Sequence, residues 1–134
     1  MNQLKPQKDE EIVNMMSPLV WAYIGDSIYE VYIRTYLINT TNLNAHQLHL
    51  KTIHYVKANA QAKALEIIQD SLSEKEKEIV RRVRNTKKHH TAKNAGIAEY
   101  TYATALEGLI GYLYLTKQEK RIEEIIEFII RQQS

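Results

Sequence analysis

The chain has 134 residues, no cysteine and a formal net charge of +2. That length suits one domain with its own hydrophobic core. The lack of cysteine excludes a disulfide scaffold, a zinc ribbon and thiol catalysis, and it suits a reducing, cytoplasmic setting. Asp9, Glu10 and Glu11 lie where a secretory leader would need an apolar stretch. No apolar run reaches membrane-spanning length, so no membrane partner is expected.

The apolar periods are helical from end to end, and Asn-Gly and Asp-Gly hairpin dipeptides are absent. An all-α fold is expected, with residues 1–134 as a single domain. Residues 9–16 form a short first helix. Ser17-Pro18 reads as an N-cap followed by proline at the first helical position. A helix then runs to about Ile38, with Leu19, Val20, Tyr23, Ile24, Ile28, Val31 and Tyr32 as apolar positions. Asn39–Asn44 is a polar turn. Asn44 caps a long helix to about Gln69, with Leu48, Ile53, Val56, Leu65 and Ile68 facing the core. Ser73 with Glu76 makes a capping box for a charged helix to about Arg84. Residues 85–96 read as a basic loop, Ile97–Thr116 as the next helix, and Gln118–Arg131 as the last. That last helix carries Ile122, Ile125, Ile126, Ile129 and Ile130 on one stripe.

Charge is unevenly spread. From Ile79 to Ala98 there is no acid, but there are six bases: Arg81, Arg82, Arg84, Lys87, Lys88 and Lys93. Without that stretch, 12 bases face 16 acids. Val31–Leu65 is also acid-free, and Lys51 and Lys57 make a second, weaker cationic patch. Cationic segments on an otherwise acidic chain favour a polyanionic partner. His89-His90, an adjacent pair without nearby acids, reads as a polar loop tip rather than a metal site, and His46 and His49 read as surface. Tyr29, Tyr32, Tyr36, Tyr112 and Tyr114 read as core or interface residues.

Two carboxylates stand out. Asp26 is the first charge in a helix that opens Pro-Leu-Val-Trp-Ala-Tyr-Ile-Gly, and Glu107 is the only charge between Tyr100 and Leu115. Carboxylates in apolar surroundings need an ion pair, hydrogen bonds or a bound cation. Each also adjoins a glycine, Gly25 and Gly108. Glycine within a helix costs about 1 kcal/mol relative to alanine, and close helix packing or ligand access is the usual reason for it. Each acid alone could pair with a buried Arg or Lys. Converging from distant helices, the two would bind Mg²⁺ or Mn²⁺ through oxygen, and such an ion serves phosphoryl chemistry.

At these residues the sequence resembles a known family. Tyr23-Ile24-Gly25-Asp26-Ser27-Ile28-Tyr29-Glu30 is similar to the signature helix of the ribonuclease III fold, and Thr104-Ala105-Leu106-Glu107-Gly108-Leu109-Ile110-Gly111 resembles that family's second acidic motif. Arg82-Val83-Arg84-Asn85, followed by a basic loop, looks like the mini-ribonuclease III group, which consists of the catalytic domain alone. Full-length relatives carry further acids one turn before each motif acid. Here those positions hold Leu19, Ala22 and Thr104, departures that the mini group shares.

The resemblance implies a homodimer packed through the signature helices. Each site would cut one strand of double-stranded RNA, leaving a 3′-hydroxyl and a 5′-phosphate. Asp26 and Glu107 carry over as catalytic acids and ligands of Mg²⁺, with Mn²⁺ as a substitute. Without a separate RNA-binding domain, Arg81, Arg82, Arg84, Asn85, Lys87, Lys88 and Lys93 would hold the RNA. Recognition would be mostly of A-form shape. The resemblance also points to precursors of large-subunit (23S) ribosomal RNA, with a ribosomal protein as a candidate stimulator. Two other readings remain at this point: a non-catalytic RNA-binding or ribosome-assembly factor, favoured by Ala22 and Thr104, and a protein-interaction domain docking through the isoleucine stripe.

Overall fold

The structure, a computed structural model, describes residues 2–86 and 96–133. Among them are seven α-helices: α1 (Glu10–Met15), α2 (Pro18–Thr40), α3 (Ala45–Val56), α4 (Ala58–Ile68), α5 (Glu74–Asn85), α6 (Gly96–Leu115) and α7 (Glu119–Gln133). One 3₁₀ turn, Gln69–Ser71, precedes α5, and no strand occurs among the described residues. The all-α expectation holds. Local chemistry sets the helix starts. Ser17 accepts a hydrogen bond from the Leu19 amide ahead of Pro18, and Asn44 with Gln47 and Ser73 with Glu76 form capping boxes.

Helix α6 is the central element. It is apolar around its whole circumference, and α1, α2, α4, α5 and α7 all pack on it. From Ala103 to Leu113 every residue is buried except Glu107. All five isoleucines of the α7 stripe are buried, so that stripe belongs to the core and is not a docking face.

Two expectations are corrected. The expected single helix from Asn44 to Gln69 is two helices, because Lys57 adopts extended backbone (φ −65°, ψ 157°) and separates α3 from α4. No proline or glycine marks the break. It arises because α3 packs on α2 while α4 packs on α6. A straight helix of that length would span about 36 Å and could not serve both. On α2 the buried stripe is Trp21, Ala22, Gly25, Tyr29, Ile33 and Leu37, whereas the apolar Val20, Tyr23 and Val31 face outward. The helix has two apolar stripes, and only one can meet the core of its own subunit. The second correction is on α3: Leu48 and Val56 pack against the core edge, but Ile53, expected in the core, is exposed and Thr52 is the buried residue.

The short helix α1 is held by side chains from later in the chain. The Trp21 indole donates to the Val13 carbonyl at 2.9 Å, the Tyr112 hydroxyl to Asn14 Oδ1 at 2.5 Å, and Arg82 to the Asn14 carbonyl at 2.8 Å. Helix α7 is tied to the start of α5 by Arg121. Its guanidinium makes a two-pronged pair with the buried Glu76 carboxylate, at 2.8 and 2.9 Å, and also donates to the Ser71 carbonyl.

Candidate active site

The crossing of α2 and α6 creates the site, and glycines make that crossing possible. A Cβ built on Gly25 would lie 1.7 Å from the Glu107 carbonyl oxygen, and one on Gly111 would lie 1.7 Å from the Trp21 carbonyl oxygen. The two backbones therefore touch, and no side chain fits between them. This contact accounts for two helical glycines whose propensity cost is otherwise unexplained. Gly108 does the same for α5: its added Cβ would meet Val83 Cγ2 at 2.5 Å.

Backbone contact at Gly25 and Glu107 puts the neighbouring Asp26 and the Glu107 side chain together. Asp26 is exposed and Glu107 half-buried, and the two carboxyl groups are within hydrogen-bonding reach of one another. Burial, first, and then the hydrogen bond to and the charge of Asp26 push the Glu107 carboxyl up from its ordinary value of 4.5 to about 8. The Gln61 side chain opposes this shift. Among the described residues neither carboxylate forms an ion pair. Among the described residues, then, no pairing with a buried Arg or Lys offsets the burial of Glu107.

Two carboxyl groups held together, with no ion-pair partner among the described residues, make a hard, all-oxygen donor set, which suits Mg²⁺ or Mn²⁺. Among the described residues no cluster of three or more His, Asp or Glu side chains forms. Ala22 and Thr104, one turn before Asp26 and Glu107, are buried, and the Thr104 hydroxyl is spent on the Tyr100 carbonyl at 2.8 Å. A cation at Asp26 and Glu107 would accordingly keep most of its water, as Mg²⁺ readily does.

The basic residues divide by use. Arg81 pairs with Glu78 one turn earlier on the surface of α5. Arg82 is half-buried, stacks 4.7 Å over the Trp21 ring and donates to Asn14, so its guanidinium holds α1. Arg84 lies 5.0 Å over the Tyr102 ring and is exposed, as is Asn85 at the end of α5. Lys87, Lys88 and Lys93, together with His89 and His90, lie outside the described residues. Val83, between the two arginines, seats α5 against Gly108, beside Glu107. The arginine-bearing end of α5 is thereby anchored next to the carboxylate pair.

The sequence reading missed Gln61. It lies on α4, only 2% exposed, in the same stripe as Leu65 and Ile68. An amide on an otherwise apolar stripe was the available signal.

Comparison with known proteins agrees with this geometry. Residues 19–118 match the Ribonuclease III domain. The chain is 47% identical over 119 residues to a mini-ribonuclease 3 of Clostridium tetani, covering 88% of this chain and 79% of the relative. It is 46% identical over 122 residues to that of Thermoanaerobacter sp., covering 91% and 86%. A crystal structure of a Fusobacterium nucleatum protein superposes with a TM-score of 0.77 at 33% identity, covering 90% of this chain and 96% of that one. The motif pair, the helical fold and these likenesses agree: the chain belongs to the ribonuclease III family of endoribonucleases.

Proposed function

We propose that this endoribonuclease hydrolyses double-stranded RNA as a homodimer, with Mg²⁺ as its cofactor and Mn²⁺ as a substitute. The observation that carries the reading is the meeting of Asp26 and Glu107 from α2 and α6, with no ion-pair partner for either among the described residues. When bound, the divalent ion supplies charge neutralisation at the phosphate and a more acidic water. The protein's own part is to hold both carboxylates rigidly on touching helices and to present them at the surface, where a duplex can reach them. Cleavage would leave a 3′-hydroxyl and a 5′-phosphate.

A second copy is the occupant we assign to the outer stripe of α2. Tyr23 is 80% exposed and Val31 57%, and Val20 and Ile38 continue the stripe. Burying that stripe against its own symmetry mate forms an isologous interface. Two sites related by a two-fold axis suit the two strands of an A-form duplex, whose phosphates and 2′-hydroxyls are its accessible features. The phosphate contacts we assign are Arg84, Asn85, Lys87, Lys88 and Lys93. Arg81 can join them by leaving Glu78, and Arg82 contributes mainly by fixing the end of α5. The resemblance to mini-ribonucleases III supports ends of 23S ribosomal RNA precursors as substrate, a cytoplasmic location and a ribosomal protein as stimulator. Among the described residues no helix is long and apolar enough to cross a membrane.

The competing reading, an RNA-binding scaffold that has lost its chemistry, draws on the buried Ala22 and Thr104. Incubation of a plain RNA duplex with the protein in Mg²⁺, in EDTA, and with Asp26→Asn separates the two. Metal-dependent cutting lost in Asp26→Asn, with duplex binding retained, supports the nuclease. Binding without cutting under every condition supports the scaffold.

A further inference from the structure

Gln61 has no explanation in the fold. Its side chain is enclosed by the α4–α6 interface, and its Nε2 is buried with no hydrogen-bond partner. A leucine or methionine would fill the same space without leaving a donor unsatisfied, and an orphaned buried donor is destabilising. The charged group it reaches toward is the Glu107 carboxylate, whose ionised form it favours without closing a hydrogen bond. Its neighbours Ala62 and Ala64 are buried as well, on the helix that packs against α6.

We propose that Gln61 is a positioning residue of the active site, donating its amide N–H to the Glu107 carboxylate and turning the carboxylate's free oxygen toward Asp26 and the divalent ion. An amide fits this task better than the alternatives. Lysine or arginine would neutralise Glu107 and compete with the cation. Another carboxylate would repel it, and a hydroxyl on a short side chain would not reach across the interface. Partners that orient a metal-ligating carboxylate characteristically act this way. The inference rests on the proposed metal-dependent reading of the same site.

The test is Gln61→Leu, with Gln61→Met as a second apolar replacement in case branching disturbs the packing. Three quantities are read: thermal unfolding, Mn²⁺ affinity without RNA, and the single-turnover cleavage rate at saturating duplex. We expect melting temperatures equal to or above wild type, about 10- to 100-fold weaker Mn²⁺ binding, a comparable loss of the saturated rate, and unchanged duplex affinity. Gln61→Glu, which keeps the shape and removes the donor, should not restore wild-type Mn²⁺ affinity and rate together. Wild-type metal affinity and rate in folded Gln61→Leu or Gln61→Met would overturn the assignment and leave the nuclease intact. Losses that track unfolding in both variants would reduce Gln61 to packing and overturn it too. Wild-type protein that neither binds Mn²⁺ nor cuts would sink the underlying functional reading, and this inference with it.

Discussion

Replacing Gly25 with alanine tests whether helix contact builds the site. In an ordinary exposed helix that change stabilises by about 1 kcal/mol, because alanine loses less backbone freedom on folding. Here the new Cβ would stand 1.7 Å from the Glu107 carbonyl oxygen and 2.7 Å from the Gly111 amide nitrogen. Both obstacles are backbone, and neither can rotate away as a side chain could. Restoring an ordinary contact of roughly 3.4 Å or more requires α2 and α6 to separate by well over an ångström along that direction. Overpacking of a tight core costs about 1–3 kcal/mol and more where the backbone must move. The net expectation is a loss of about 3 kcal/mol, read by urea unfolding at fixed protein concentration. The fraction that still folds should bind Mn²⁺ poorly, because the same separation parts Asp26 from Glu107. Gly25→Ala protein that is as stable as wild type, or more so, would refute the claim that backbone contact at this crossing fixes the site.

Four other expectations concern charge and assembly. In the metal-free protein Glu107 keeps its proton up to about pH 8, whereas in the unfolded chain it loses it near 4.5. Stability should therefore fall as pH rises through that window and level off above it. Mn²⁺ binding at pH 7 should release about one proton, measured by calorimetry in two buffers of different ionisation enthalpy; no release would contradict the pairing of Glu107 with Asp26. Burial pushes the Glu76 carboxyl up, but Arg121 and the Ser73 hydrogen bonds outweigh burial and hold it below 4.5. Its stabilising contribution is thus full above that value and is lost as pH falls through the lowered pKa. Arg121→Met should cost about 2–3 kcal/mol at neutral pH, with the wild-type and variant stability curves converging in acid; parallel curves down to pH 2–3 would refute the assignment. Tyr23→Glu combined with Val31→Glu should leave the fold intact and yield monomers in sedimentation at concentrations where wild type is dimeric. A persistent dimer would place the interface elsewhere.

Most helices could be read from the sequence because their ends carry local chemistry: Ser17-Pro18, the Asn44–Gln47 box and the Ser73–Glu76 box are each complete within four residues. The break at Lys57 could not, since no local signal marks it and the competing demands of α2 and α6 produce it. The inward face of α2 was not legible either, for a related reason. Its two apolar stripes look alike in sequence, and only contact with α6 at Gly25 decides which turns inward. The candidate site was legible as two misplaced charges beside glycines, because electrostatic cost is a property of the immediate surroundings. The use of Arg82 was not, because Trp21 and Asn14, its partners, are brought to it only by the fold. Gln61 needed both kinds of information: the stripe marks it as odd, and only the packing shows its nitrogen without a partner.

The central claim is that Asp26 and Glu107 act as one metal-dependent site for cutting duplex RNA. The most direct measurement is the single-turnover rate of duplex cleavage at saturating Mg²⁺ for wild type, Asp26→Asn, Glu107→Gln and the double variant. Because the two groups act as a unit, each single change should abolish cleavage about as completely as the double change does, with circular dichroism and duplex binding preserved. Cleavage by Glu107→Gln near the wild-type rate, or losses that simply multiply in the double variant, would contradict the account.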